Sequence, residues 1–222
     1  MSVLTFPGAI SVNSGSLSSA FARPSRWWKR PLDLTLTLMG LAVFWPVLVV
    51  IAMAVRLSSP GPVFFVQTRI GKDGRPFGMI KFRSMYADAE ARRAALLASS
   101  DRDGICFKSR HDPRVTSVGR VLRRLSLDEL PQIFNVLLGD MSLVGPRPGL
   151  PEEVRAYPPR AYGRLSVLPG ITGLWQVSGR AEIGFDDMVE MDLRYAADGR
   201  LTTDLALISR TFGAVITGRG AY

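Results

Sequence analysis

Two adjacent carboxylates, Asp128 and Glu129, lie in the run Arg123-Arg124-Leu125-Ser126-Leu127-Asp128-Glu129-Leu130-Pro131-Gln132, and another arginine follows in Gly145-Pro146-Arg147-Pro148. Acids set among cations are what a site needs to hold a divalent metal ion and a multiply charged phosphate together without net repulsion. The same residues also fit a local role. Ser126 with Glu129 matches a capping box, and Asp128 as N-cap would leave Pro131 in a first helical turn, where proline is tolerated. The two roles are compatible, because a helix N-terminus offers free N–H groups and a positive dipole end to either anion. Around Arg147 the prolines fix the backbone, and a rigid arginine suits bidentate phosphate recognition. Lys81 and Arg83 alternate with apolar residues and would share one face of a strand, which is either a further basic surface or a solvated one.

Several elements must position these groups. Pro62-Val63-Phe64-Phe65-Val66-Gln67, a turn at Lys72-Asp73-Gly74-Arg75 and a return over 77–82 predict a β-hairpin ending at Lys81. Residues 86–99 are alanine-rich and predict a helix, broken over 100–104. Val115, Val118, Val121, Leu122 and Leu125 recur at helical spacing with Arg120, Arg123 and Arg124 on other faces. This predicts an amphipathic basic helix leading into the acid pair, lying on a membrane surface or in solvent. Ile133, Phe134, Val136, Leu137 and Leu138 form a short apolar helix ended by Gly139. Residues 168–180 make a glycine-dense loop in which backbone can approach a ligand. Helices over 187–195 and 204–216 close the chain.

Residues 1–22 read as a flexible leader, since the first twenty carry no charge and are rich in Ser, Gly and Ala. Arg23, Arg26, Lys29 and Arg30 with Trp27 and Trp28 then form a basic aromatic cluster of headgroup type. Residues 34–55 carry no charge and span about 33 Å as a helix, enough for a hydrocarbon core. The run is too long and too far from the start for a signal peptide. Pro46 near its centre would kink it. With cations at both flanks, a kinked crossing and a re-entrant helix are both compatible with the pattern.

A chain of 222 residues with 47% hydrophobic content can bury a core as one domain plus an appendage. Its formal charge of +9 implies an anionic partner: nucleic acid, anionic lipid or a phosphorylated metabolite. Cys106 alone excludes an internal disulfide, and the single His111 reads as a loop residue. No P-loop, dinucleotide fingerprint or nucleophile elbow is present.

Six ordered blocks carry a resemblance. They are Ser59-Pro60-Gly61-Pro62-Val63-Phe64-Phe65 with Gln67-x-Arg69-x-Gly71, Lys81-Phe82-Arg83-Ser84-Met85, Ser126-Leu127-Asp128-Glu129-Leu130-Pro131-Gln132, Gly139-Asp140-Met141-Ser142, Gly145-Pro146-Arg147-Pro148, and Pro169-Gly170-Ile171-Thr172-Gly173. From about Lys29 onward the chain resembles the bacterial sugar transferase family, the monotopic phosphoglycosyl transferases. The resemblance implies transfer of a sugar 1-phosphate from a UDP-sugar to polyprenyl (undecaprenyl) phosphate with release of UMP, initiating exopolysaccharide assembly at the cytoplasmic face of the bacterial inner membrane.

The resemblance further makes Asp128 the nucleophile of an aspartyl-phosphosugar intermediate and Asp128 with Glu129 the ligands of Mg²⁺. Arg123 and Arg147, with Lys81 and Arg83, would bind substrate phosphate, and Pro146, Gly179 and Arg180 would contact the nucleotide. It also favours a re-entrant helix broken at Pro46. The expected fold is α+β and mainly helical: a membrane-associated helix over 23–57, then a cytoplasmic catalytic domain over 58–222 with a small β-hairpin and interfacial amphipathic helices. Membrane lipid is an expected partner and nucleic acid is not, while no feature selects an oligomeric state or a particular sugar. Ala181-Glu182 and Gly199-Arg200 depart from the family pattern, on the sugar-recognition side. Two other readings remain: a membrane-anchored basic protein binding nucleic acid or lipid, and a metal-dependent glycosyltransferase releasing UDP.

Overall fold

The uncharged stretch lies inside one helix, α1, Lys29–Ser58. The computed structural model describes residues 25–89, 91, 112–179 and 183–217. The leader, Cys106, His111, Arg180 and nearly all of the helix expected over 86–99 fall outside them. Helix α1 has 30 residues, about 45 Å by its rise, and continues as helix through Pro46. Among the described residues it is the one helix long and apolar enough to cross a membrane.

Both ends of α1 dock on the rest of the chain. At the near end Lys29 Nζ lies 2.5 Å from Asp204 Oδ2, and Asp33 Oδ1 accepts from the Leu143 N–H at 3.1 Å. Arg30 donates to the carbonyls of Val136 (2.5 Å) and Leu137 (3.0 Å). At the far end Ile51 and Val55 are buried with Phe82 and Leu122. Between the ends, residues 42–47 are exposed on every side of the helix.

The headgroup role read for the basic aromatic cluster needs correction. Arg26 donates to the carbonyls of Tyr195 (2.6 Å), Ala196 (3.1 Å) and Asp198, at a helix end, so Arg26, Lys29 and Arg30 all turn inward. Orphan carbonyls at helix C-termini attract cations more specifically than a diffuse surface does. Trp27 remains 82% exposed.

The hairpin forms as expected, with β1 (Phe64–Ile70) antiparallel to β2 (Pro76–Phe82) and Phe65 opposite Lys81. Its turn places Asp73 at φ 56° and Gly74 at φ 76°, in keeping with the Asp-Gly signal. Helix α2, Ser117–Arg124, is capped by Thr116, whose side chain accepts from the Gly119 N–H at 2.9 Å. A side chain at Gly119 would meet the Ser84 carbonyl oxygen at 1.9 Å, so glycine is what lets α2 lie against the strand leaving β2. Leu122 faces inward, whereas Val121 and Leu125 face out.

After the acid pair comes α3, Gln132–Leu138, ended by Gly139 at φ 93°. Asn135 on its buried face accepts from the Ile80 N–H (3.0 Å) and donates to the Gly78 carbonyl (2.7 Å), fixing α3 to β2. Two segments read as loops contain short strands, β3 (Ser142–Val144) and β4 (Gly170–Thr172), paired in parallel. The glycines read as ligand approach serve this pairing. A Cβ at Gly170 would lie 2.0 Å from the Gly145 nitrogen. Helices α4 (Pro151–Arg155), α5 (Leu174–Ser178), α6 (Phe185–Ala197) and α7 (Leu201–Thr217), with a 3-10 segment at Pro159–Ser166, complete the fold. Ile70, Val154, Tyr157, Ala161, Leu165 and Val189 pack beneath β1, α4 and α6.

Lys29 and Asp204 are both buried, so removing Lys29 leaves the Asp204 carboxylate with the Tyr195 hydroxyl and without its cation. Lys29→Met is expected to cost about 3–5 kcal/mol, read by chemical denaturation in detergent, with partial recovery on adding Asp204→Asn. An unshifted midpoint would show that this pair does not anchor α1.

Candidate active site

Asp128 and Glu129 lie in a 3-10 turn, Leu127–Glu129, between α2 and α3. Neither capping scheme read from the sequence is realised. Ser126 sits at φ 56° without a side-chain cap bond, and Pro131 is itself the N-cap of α3. Glu129 reaches cations from other elements instead of turning back to Ser126. The turn is fixed from below by Leu127 and Leu130, which pack in the cluster of Ile51, Val55, Phe82 and Leu122. The far end of α1 therefore sets the position of the acid pair.

Glu129 Oε1 accepts from Lys81 Nζ at 2.8 Å and from Arg147 Nη1 at 3.2 Å. The hairpin supplies one cation and the proline-rich loop after β3 the other, across sequence separations of 48 and 18 residues. Arg123, in the last turn of α2, adds favourable charge near Asp128. The Asp128 carboxylate is buried and accepts no hydrogen bond from a described residue.

These surroundings push the two carboxyls in opposite directions. Burial, and then the Glu129 charge, raise Asp128 above its ordinary range, with Lys81, Arg123 and Arg147 opposing. Burial would raise Glu129 too, but the Lys81 and Arg147 charges and their hydrogen bonds outweigh it and hold it well below the usual carboxylate range. Lys81 is lowered by burial against the pull of Glu129, and Arg147 is raised chiefly by Glu129. An adjacent pair with divergent acidities is typical of carboxylates given separate tasks.

Arg83 does not join this group. Its guanidinium donates to the carbonyls of Ser59 (2.7 Å) and Pro60 (2.8 Å) and to Ser59 Oγ (3.0 Å), tying the end of α1 to β2. The strand ends at Phe82, so the alternation that would have put Arg83 beside Lys81 is lost. Pro146 is buried, and its carbonyl accepts from Gly170 N at 3.0 Å. Gly179 stands at the C-terminal end of α5, where its N–H bonds the Trp175 carbonyl. Asn135, which fixes the acid pair to Lys81 by joining α3 to β2, was not singled out. The available signal was a polar side chain inside an apolar helix.

Among the described residues no cluster of three or more His, Cys, Asp or Glu could hold a metal. The donor chemistry still fits Mg²⁺, which is commonly bound by one or two carboxylates plus substrate phosphates and water. Asp128 presents a carboxylate without a donor among the described residues, and Glu129 is fixed beside it.

The described residues thus form a mainly helical α+β fold with one long apolar helix and an acid pair of which Glu129 is braced by two cations. The chain matches the family model for bacterial sugar transferases over residues 24–218, and it belongs to that family. It is 43% identical to a galactosyl transferase, CpsE, of Streptococcus agalactiae serotype III, over 87% of this chain and 43% of the relative. It is 40% identical to the undecaprenyl-phosphate galactose phosphotransferase of Salmonella typhimurium, over 90% and 43%. With the exopolysaccharide production protein ExoY of Sinorhizobium fredii the identity is 37%, over 87% and 88%. The chain thus spans less than half the length of the first two relatives and most of the third.

The two carboxylates should respond to substitution with opposite signs. Asp128 binds its proton more tightly folded than unfolded, so its ionisation opposes folding at neutral pH and the penalty fades as pH falls through the raised value. Glu129 is depressed, so its contribution is present above the ordinary glutamate range and is lost as pH falls through the folded value. At pH 7, Asp128→Asn should raise the melting temperature and Glu129→Gln should lower it. Lys81→Met should cost about 2–4 kcal/mol, somewhat under the full penalty of a broken buried pair because Arg147 remains. Equal shifts of one sign in the two acid variants would refute this electrostatic division.

Proposed function

We propose that the chain transfers a sugar 1-phosphate from a UDP-sugar to undecaprenyl phosphate, releasing UMP, as the initiating step of exopolysaccharide assembly. The observation that carries this reading is the placement of Asp128. A carboxylate without a hydrogen-bond donor among the described residues lies beside one braced by two cations, on a turn packed against the end of the long apolar helix. The relatives' names, which include an undecaprenyl-phosphate phosphotransferase and an exopolysaccharide production protein, support the substrates and the pathway class.

Asp128 acts as nucleophile. A carboxylate oxygen forms a bond to the sugar-bearing phosphorus while the phosphoanhydride P–O bond breaks, and its electron pair leaves on UMP. An oxygen of the polyprenyl phosphate then attacks the same phosphorus and returns the electron pair to Asp128. Splitting the transfer gives each phosphate acceptor or donor its turn at one centre. Arg147 and Arg123 hold phosphate oxygens, and Lys81 keeps Glu129 ionised and fixed. Mg²⁺, held by Asp128 and Glu129, would supply charge neutralisation for the diphosphate. Burial of Asp128 and the adjacent Glu129 charge leave its carboxylate poorly stabilised, so bond formation to phosphorus gains more than it would for a solvated acid.

Helix α1 enters the bilayer, bends at Pro46 and returns to the cytoplasmic face of the inner membrane. Two features support this re-entrant course over a crossing. Both ends pack on the same domain, and the segment 42–47 between them is exposed on every side of the helix. The outward Val121 and Leu125 of α2, with Phe64, Phe65 and Val66 of β1, supply apolar surface at the interface. Such an anchor sets the active site at headgroup depth, where the phosphate of a membrane-embedded acceptor lies.

Turnover is tested by UMP release from a panel of UDP-sugars with detergent-purified protein, with polyprenyl phosphate and either Mg²⁺ or chelator. One UDP-sugar should yield UMP only with metal, and Asp128→Asn should lower the rate by at least about 10³-fold. Mass spectrometry of protein given UDP-sugar without acceptor should find the phosphosugar on the Asp128 peptide. UDP instead of UMP, or near-normal turnover in the variant, would overturn the mechanism.

A further inference from the structure

Four consecutive carbonyls around Arg147 are each held by a different donor. Pro146 accepts from Gly170 N (3.0 Å), Arg147 from Arg164 Nη2 (3.2 Å), Pro148 from Arg69 Nη1 (3.0 Å) and Gly149 from Ile70 N (3.0 Å). The donors come from β4, the 3-10 segment Pro159–Ser166 and β1. The loop also donates from Gly145 N to the Thr172 carbonyl at 2.8 Å. Two of the four donors are buried guanidinium groups, and burying a cation to hold a carbonyl is costly unless other partners share it.

Both arginines are themselves oriented. Arg164 is 3% exposed and donates from Nη2 to Asp192 Oδ2 (2.5 Å) and from Nη1 to Tyr157 Oη (3.0 Å). Its guanidinium also lies 5.4 Å from the Tyr157 ring centroid. Arg69 donates from Nε and Nη2 to Gln67 Oε1 (3.1 and 2.7 Å), and its Nη1 lies 3.9 Å from Glu153 Oε2. Arg69 also lies within the field of Glu129 and Arg147. Arg164 and Arg69 each act on the backbone from which Arg147 projects, and Arg147 is a long side chain that must reach Glu129 from a loop.

We propose that Arg164 is a positioning residue that sets the Arg147 guanidinium against Glu129 through the Arg147 carbonyl, with Asp192 and Tyr157 orienting Arg164 and with Arg69 gripping the next carbonyl. A cation meant for phosphate must hold one place while charge develops, and backbone fixed at four successive carbonyls removes the hinge motion that the side chain would amplify. The use of Arg147 toward phosphate rests on the proposed function, whereas the grip on the loop does not.

Two measurements on the full chain test it. Arg164→Lys keeps a charge for Asp192 but lacks the fork that reaches Asp192, Tyr157 and the carbonyl together. Hydrogen exchange over 143–150 should rise about tenfold in this variant while the β1–β2 hairpin keeps its protection. Tyr157→Phe, a milder change, should raise exchange in the same segment by about twofold. In UMP release, Arg164→Lys should lower kcat/KM about tenfold in the native background and less than about twofold in Arg147→Ala, because its effect passes through Arg147. Unchanged exchange at 143–150, or the same loss in both backgrounds, overturns the proposal. If the native chain releases UMP from no UDP-sugar, the functional reading fails and the exchange result still decides the grip on the loop.

Discussion

The half-buried carboxylate of Glu129 is the constraint on which the site depends. A carboxylate taken out of water and set next to another acid survives only with cations in hydrogen-bond contact, and no neighbour in its own turn can provide them. Lys81 and Arg147 do so from two distant parts of the chain. That requirement draws together the hairpin, the acid turn and the proline-rich loop. Asn135 and the parallel β3–β4 pair serve the same end, one fixing α3 to β2 and the other fixing the base of the loop.

The long apolar helix is tied to this assembly by charge at one end and by packing at the other. Lys29 and Asp33 meet Asp204 and Leu143, while Ile51 and Val55 pack against Phe82 and the leucines flanking the acid pair. A helix attached at both ends to one domain cannot shift in depth without moving the site. Much of the positive charge is used inside the fold. Arg26, Arg30, Arg69, Arg83 and Arg164 all donate to backbone carbonyls. The net charge of the chain therefore overstates the basic surface left for a polyanion.

Local pattern was legible where one segment decides its own conformation. The hairpin follows from β-branched and aromatic residues around an Asp-Gly turn, α3 ends where Gly139 permits a left-handed residue, and α2 follows the helical spacing of Val118, Val121 and Leu122. The same logic failed where a residue had a local and a distant partner to choose from. Ser126 and Glu129 spell a capping box, yet a charge-assisted bond to Lys81 exceeds what a backbone N–H offers, and Pro131 interrupts the helix the box would start. Arg83 was paired with Lys81 by alternation, but the strand stops at Phe82 and the open carbonyls after α1 take its guanidinium.

The sequence by itself determined the acid pair, the membrane-length helix and the family, because these are contiguous and their residue types carry their own chemistry. The tertiary structure decided which cations face which acid, that among the described residues Glu129 has two donors and Asp128 none, and that Arg164 reaches the Arg147 backbone. These contacts join residues many positions apart. Their choice depends on the competition among all buried charges for a limited set of partners, and spacing along a chain does not encode the outcome of that competition.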